Sequence, residues 1–346
     1  MNKDTKEILL NEYFASKDRS EQKQDRLITK LEKHIAKEPD TELLLALLDL
    51  KTINANISQQ SFADRCAIAL PIFEELENAL EWGYLQLHVL SVVIANHPDF
   101  NKTLWFFQKA VDTINHKYAD TPGFKSIATS LHYNFTVRIL RAKYKDPNVD
   151  NKKLKALFEH SYNHVMDVCV RHDLPLQYTL QVIRGVFNNK IELIEQGLAK
   201  LKELGEKQRY ANAKSEIVEF LWYMNDISKE LTSFVIGYQI RKRRKEMNMD
   251  AFDLAIELDT DDNAIMSIER GDDGVSIYRL IKLAKILKVN MSYFFGDEGG
   301  KSEDTNSFAT KINIYMGGAT ESDKEFVLNH AKMYMESKYP NRGKKK

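Results

Sequence analysis

The sequence predicts an all-α protein: a helical-repeat array of tetratricopeptide type followed by a five-helix helix-turn-helix domain. Three observations carry this expectation. Glycine and proline are sparse, 14 and 7 among 346 residues, so few positions interrupt helices. Apolar residues recur at three- and four-residue spacing almost throughout, which is the period of a helix with one buried stripe. Pro39, Pro71, Pro98, Pro122, Pro147 and Pro175 stand 24 to 32 residues apart, near expected helix starts or turns. That interval suits one long helix or a helix pair per unit, as in repeat arrays.

Composition bounds the rest. A chain of 346 residues is long enough for two domains. Lysine plus arginine balances aspartate plus glutamate at 50 each, so no global basic field draws nucleic acid. There is no signal peptide and no apolar run long enough to span a bilayer, so a cytoplasmic protein is expected. Cys66 and Cys169 lie far apart in apolar helical surroundings, where buried free thiols are expected rather than a disulfide.

Taken in order, residues 1–231 read as the array, a sensor or regulatory domain without a sharp repeat motif. On one helix Leu176, Leu180, Ile183 and Phe187 form an apolar stripe, and Gln177, Gln181, Arg184 and Asn188 a polar one at the same offsets. Asn134 and Arg138 repeat the amide-plus-arginine pair one turn apart. A groove for an extended peptide needs amides for the peptide backbone and arginine for a carboxylate, so these six residues are the candidate peptide contacts. Ordinary solvated faces are the competing explanation. Tyr133, Val137 and Phe187 are candidate apolar walls. His160 and His164, four apart and followed by Cys169, have a spacing that suits a metal, but no third or fourth ligand is in evidence and no metal is expected. Neither a glycine-rich phosphate loop nor a nucleophile elbow occurs, so neither catalysis nor a cofactor is expected.

Between Glu206 and Ile236 there is neither proline nor glycine, which predicts a helix running nearly unbroken into the next domain. Residues 232–296 then carry five short apolar-periodic segments. Asp250 with Asp253 three residues on, and Asp261, stand at N-cap positions; Gly271 supplies a left-handed C-cap. Two helices joined by so short a turn make a helix-turn-helix, whose second member is shaped for a DNA major groove. Residues 297–310 are a polar linker. The extension 311–346 alternates at Ile312 and Ile314 like a strand, then opens an amphipathic helix at a Ser322–Glu325 capping box, with Val327, Leu328, Ala331, Tyr334 and Met335 on one stripe. Arg342 and Lys344 to Lys346 form a basic tail.

Two resemblances sharpen the functional expectation. The order Ile240, Arg241, Arg244, Met249-Asp250, Leu254-Ala255, Ile265, Ile268-Glu269-Arg270-Gly271, Leu280, Leu283-Ala284, Leu287, Val289 and Phe294 to Gly296 resembles the lambda-repressor-like (XRE) helix-turn-helix family over about sixty residues. The resemblance implies a buried Arg244–Glu269 salt bridge, and directs Asp262, Asn263, Met266, Ser267 and Arg270 toward the groove. There asparagine reads adenine and a carboxylate accepts from cytosine. Of the basic run Arg241 to Lys245, Lys242 and Arg243 are the candidate phosphate contacts. The family's usual phosphate-contacting glutamine after the cap is Ala251 here. Separately, Glu77-Asn78, Glu81-Trp82-Gly83-Tyr84-Leu85, Gly185 to Lys190, Ile194 to Leu198 and Leu204-Gly205 resemble the regulatory domain of Rgg/GadR/MutR-type regulators across about residues 20 to 220. In those proteins, many of which sense short peptide pheromones as dimers, the helix-turn-helix is N-terminal; here it follows the array.

These readings predict a bacterial or phage transcription regulator, a homodimer that binds double-stranded operator DNA under control of a short peptide. One feature opposes it. Residues 249 to 273 hold nine acids against Arg270 alone, a formal charge of −8, facing a duplex that is itself a dense polyanion. A non-DNA-binding adaptor, using the acidic helix-turn-helix to hold a protein, is the competing class.

Overall fold

The computed structural model describes residues 3–15, 21–57, 60–146, 149–169, 173–224 and 228–295, and every regular element among them is helical. The linker, the Ile312/Ile314 stretch, the helix expected from Ser322 and the basic tail lie outside the described residues, as do Pro147 and the side chain of Cys169. Cys66 is a buried free thiol. The chain divides into two compact units, Met1–Glu216 and Ile217–Lys346. The division expected at 231/232 falls inside the helix Lys229–Glu246.

The first unit comprises α1 (Lys3–Ala15), α2 (Glu21–Ile35), α3 (Thr41–Ile57), α4 (Phe62–Asn78), α5 (Tyr84–Val93, extended by a 3-10 turn at Ile94–Asn96), α6 (Phe100–Lys117), α7 (Phe124–Lys145), α8 (Asn151–Cys169), α9 (Leu174–Phe187), α10 (Ile191–Glu203) and most of α11 (Lys207–Leu221). Its helix starts follow sequence logic. Ser61, Asp99 and Asp173 accept from the amides of Asp64, Lys102 and Leu176, each cap contributing about 1 kcal/mol. Pro71 departs from expectation: it sits inside α4, where its ring removes one backbone hydrogen bond.

The odd-numbered helices α3, α5, α7 and α9 pack on one another in succession, while the even-numbered ones pack mainly on odd neighbours. The stack is thus two rows, with the odd row the tighter. Between the rows lies an aromatic core, in which Phe107 stacks on Phe135 at 3.9 Å and Phe158 on Phe187 at 4.0 Å between ring centroids. Trp82 is buried and donates its indole N–H to Leu76 O at 2.9 Å.

In the second unit the helix does not run through. α11 stops at Leu221, and α12 (Lys229–Glu246) begins afresh because the Ser228 hydroxyl accepts from Leu231 N at 3.3 Å. A serine that caps a new helix competes with continuation of the old one. α13 (Ala251–Leu258), α14 (Asp262–Arg270) and α15 (Ile277–Ile286) follow. The fifth expected helix is a 3-10 turn, Met291–Phe295. Ile236, Ile240, Leu254, Leu258, Ile265, Ile268, Leu280, Leu283, Leu287 and Phe294 form one core.

Candidate nucleic-acid interface

The α13–α14 pair is held by short-range polar chemistry. Asp250 Oδ1 accepts from Asp253 N at 2.7 Å while Asp253 Oδ2 accepts from Asp250 N at 3.2 Å, a reciprocal capping box. Asp261 Oδ1 accepts from Ala264 N at 2.8 Å and starts α14. Gly271 ends that helix at φ 71°, where a side chain would be strained.

The orientation of α14 is set by α12. Arg244 and Glu269 are buried and joined by two hydrogen bonds, Nε–Oε1 at 2.6 Å and Nη2–Oε2 at 2.8 Å. The remaining guanidinium nitrogen, Nη1, donates to Met249 O at 2.8 Å, in the turn before α13. One side chain therefore ties together three elements. The hydrogen bonds to Glu269 raise the pKa of Arg244 above that of a free arginine, outweighing burial. At Gly237 of α12 the backbones themselves meet, since a Cβ there would lie 2.0 Å from Ile268 O.

The residues expected to face DNA fall into two groups. Asn263 is exposed, and Asp262 and Met266 are partly exposed, on the first two turns of α14. Lys242 is partly exposed on α12. Ser267, Arg270 and Arg243 make the following side-chain contacts. Ser267 donates its hydroxyl to Asp273 Oδ2 at 2.7 Å, and Arg270 Nε donates to Asp272 Oδ2 at 2.6 Å. Arg243 donates to Leu287 O, the C-cap carbonyl of α15, at 3.0 Å and to Glu246 Oε2 at 3.0 Å. Arg243, expected as a phosphate contact, thus places its guanidinium at a helix end. Arg279, outside the expected set, is exposed in the first turn of α15, where orphan amides and the helix dipole favour anions; Ser276 caps that helix by accepting from Arg279 N.

In the array, the two polar stripes do not share an open face. Asn134 donates to Ser91 O at 2.8 Å. Arg138 is 3% exposed and donates to His97 O at 3.1 Å and Pro98 O at 3.0 Å. Burial lowers its pKa to about 10. Asn134 and Arg138, expected as peptide contacts, thus hold backbone carbonyls in the last turn of α5 and just past its 3-10 extension. On α9, Arg184 pairs with Glu159 at 3.3 Å and lies over the Tyr162 ring, both on α8, and Gln181 approaches Gln196 of α10 at 3.4 Å. Gln177 is partly exposed and Asn188 exposed. The partners of this stripe belong to even-row helices, so it opens between α8 and α10 rather than on the odd-row face. The apolar stripe behaves as expected, with Leu180, Ile183 and Phe187 buried.

His160 and His164 gain a third histidine. His132 of α7 stacks on His164 at 3.9 Å, lies 5.5 Å from His160 between ring centroids, and shares a 3.2 Å hydrogen bond with Ser161 Oγ. Burial and the two neighbours lower the pKa of His132 to about 3. No group suited to hold a metal occurs among the described residues. His132 is buried, His164 half-buried and His160 exposed, and burial also lowers the pKa of His164. On the odd-row face, by contrast, Tyr133 donates to Glu216 Oε2 at 2.5 Å, and burial raises the Glu216 pKa to about 7.

Comparison with known proteins gives one relative. The chain is 34% identical over 80 residues to a protein of Sinorhizobium fredii (strain NBRC 101917 / NGR234) described as an uncharacterized HTH-type transcriptional regulator. The match covers 23% of this chain and 56% of the relative, so it spans about half the length of that protein. No family model and no solved structure matches the chain. No helix among the described residues is long and apolar enough to cross a membrane.

Proposed function

We propose that this protein is a DNA-binding transcription regulator that docks α14 in the major groove. The observation that carries the reading is the first turn of α14: Asn263 is exposed on it, while the Arg244–Glu269 pair and the Asp261 cap fix its direction. The likeness to an HTH-type regulator supports it. A protein reading a palindromic operator does so as a dimer, and we assign that state to this one. In this reading Asn263 and Met266 meet bases, and Lys242 and Arg279 hold phosphates. Asp272 and Asp273 oppose binding twice, by charge and by holding Arg270 and Ser267.

Salt-titrated gel shifts with selected duplexes test it. Asp272→Asn with Asp273→Asn should tighten binding about fivefold per removed charge, the equivalent of roughly 1 kcal/mol for a charge pair near water. Lys242→Ala should weaken all sequences alike and flatten the salt slope by about one, whereas Asn263→Ala should change sequence preference. Failure to select any duplex, even at low salt, would reject DNA binding. The adaptor reading would then stand, and one observation favours it: seven carboxylates between residues 250 and 273 are exposed.

For the array we propose a short-peptide sensor on the odd-row face. Tyr133 and Val137, one turn apart on α7 and both partly exposed, provide an apolar wall beside the Glu216 carboxyl. Panning a library of short apolar peptides against the full chain tests this. Tyr133→Ala should abolish enrichment while Arg184→Ala leaves it intact; the opposite pattern would move the groove to the crevice between α8 and α10.

A further inference from the structure

Helix α13 carries an apolar surface that the helix-turn-helix core leaves uncovered. Phe252 and Ile256, four residues apart on one face, are each 62% exposed. Beside them lies a depression lined by Met247, Met249, Ile256 and the acids Asp253 and Glu257. Two large exposed apolar side chains on one turn of a small domain form a patch that invites a partner. The patch is also acidic, because residues 249 to 259 contain four carboxylates and neither lysine nor arginine.

The chain itself supplies a complementary segment. Fifty-one residues follow Phe295. Within them, Val327, Leu328, Ala331, Tyr334 and Met335 recur at one-stripe helical spacing behind the Ser322–Glu325 capping box. Residues 322 to 346 hold seven lysines and arginines against three acids, the opposite of the α13 surface. Reach is sufficient. Phe295 lies in the same core as Leu254 and Ala255 of α13, and the 26 residues 296–321 that separate it from Ser322 have a contour length of about 85 Å, ample to reach a neighbouring helix face. A tethered segment also binds at an effective concentration in the millimolar range, so a modest apolar contact suffices.

We propose that residues 322–335 dock as an amphipathic helix, in cis, on Phe252 and Ile256 of α13, with the basic tail Arg342 and Lys344 to Lys346 running along the α13 carboxylates. Docking buries two apolar faces against each other, and the charges set its direction and make it sensitive to salt.

Photo-crosslinking and hydrogen exchange on the full chain test the proposal. With Phe252 replaced by the photoreactive p-benzoylphenylalanine, the crosslinked peptide should map to 322–335 in a species of single-chain mass. The yield should fall at least tenfold when Val327→Asp and Leu328→Asp are added. In F252S/I256S, amides of 322–335 should exchange at least tenfold faster than in the unaltered chain, with α12 and α14 unchanged. Since Phe252 and Ile256 are exposed, their replacement leaves the core intact; if α12 or α14 nevertheless loosens, the crosslink decides. Crosslinks elsewhere in the chain overturn the proposal, and so does equal exchange in both proteins. Crosslinks at double mass, or protection that rises with protein concentration, also overturn it and assign the patch to a second copy.

Discussion

Gly237→Ala is expected to unfold the helix-turn-helix unit or cost it about 3 kcal/mol or more. The added Cβ would lie 2.0 Å from Ile268 O and 3.1 Å from both Glu269 C and Cα. Real carbon–oxygen contacts stand more than an ångström farther apart, so α12 and α14 would have to separate. Neither is free to move. One turn away, a Cβ on Gly271 would meet Phe234 Cα at 2.4 Å, so the last turn of α14 is wedged against α12 at two points. Alanine is the better helix former by about 1 kcal/mol, and the steric term exceeds that gain. Hydrogen exchange of the α14 amides, followed through urea unfolding, measures the effect. Gly274→Ala is the control: its Cβ would meet nothing nearer than Ser233 Oγ at 3.8 Å, and a change within about 0.5 kcal/mol is expected. Equal stability of both variants would show that α12 and α14 do not approach this closely.

The contrast between these two glycines marks where sequence reading succeeds. Gly271 was legible because its role is local: it follows the last apolar turn of α14, and only a left-handed residue closes a helix there. Asp250, Asp253 and Asp261 were legible for the same reason, since a cap and its amide lie three residues apart. The buried stripe Leu254, Leu258, Ile265 and Ile268 follows from periodicity alone. Gly237 carries no such signal, because its partner is a carbonyl 31 residues away. The polar contacts of the array are likewise long-range. Asn134 and Arg138 show an amide and a cation one turn apart, but whether they meet a ligand or a carbonyl depends on α5, more than 40 residues upstream. His132 joins His160 and His164 across two helices, and no spacing within either helix announces it. At the surface proposed to face DNA the difficulty is of another kind. Ser267 and Arg270 occupy the expected helix, and acids two and six residues further on compete for their donors. Helical spacing places a side chain on a face without saying which neighbour its donor chooses.

Glu269→Leu is expected to cost the second unit about 3–5 kcal/mol, with Arg244→Met comparable, whereas the double variant should recover most of the loss. The asymmetry follows from desolvation. Arg244 is 9% and Glu269 6% exposed, so removing either partner strands a charge in a medium that solvates it poorly. In Glu269→Leu the guanidinium keeps only its 2.8 Å bond to Met249 O, which satisfies one of its five N–H groups. With both replaced, no charge is stranded and the apolar pair buries comparable volume. A double-mutant cycle in urea should therefore return a coupling of at least 2 kcal/mol. Single losses below 1 kcal/mol would mean that water reaches the pair and that packing alone holds α14. The double variant separates stability from orientation. Because Arg244 joins α12, the turn before α13 and the last turn of α14, it fixes the angle at which Asn263 is presented. Stability should return in the double variant while sequence discrimination in duplex binding stays reduced, since leucine and methionine pack without directional bonds. If discrimination returned along with stability, the hydrophobic core would be setting the angle of α14, and the ion pair would be dispensable to recognition.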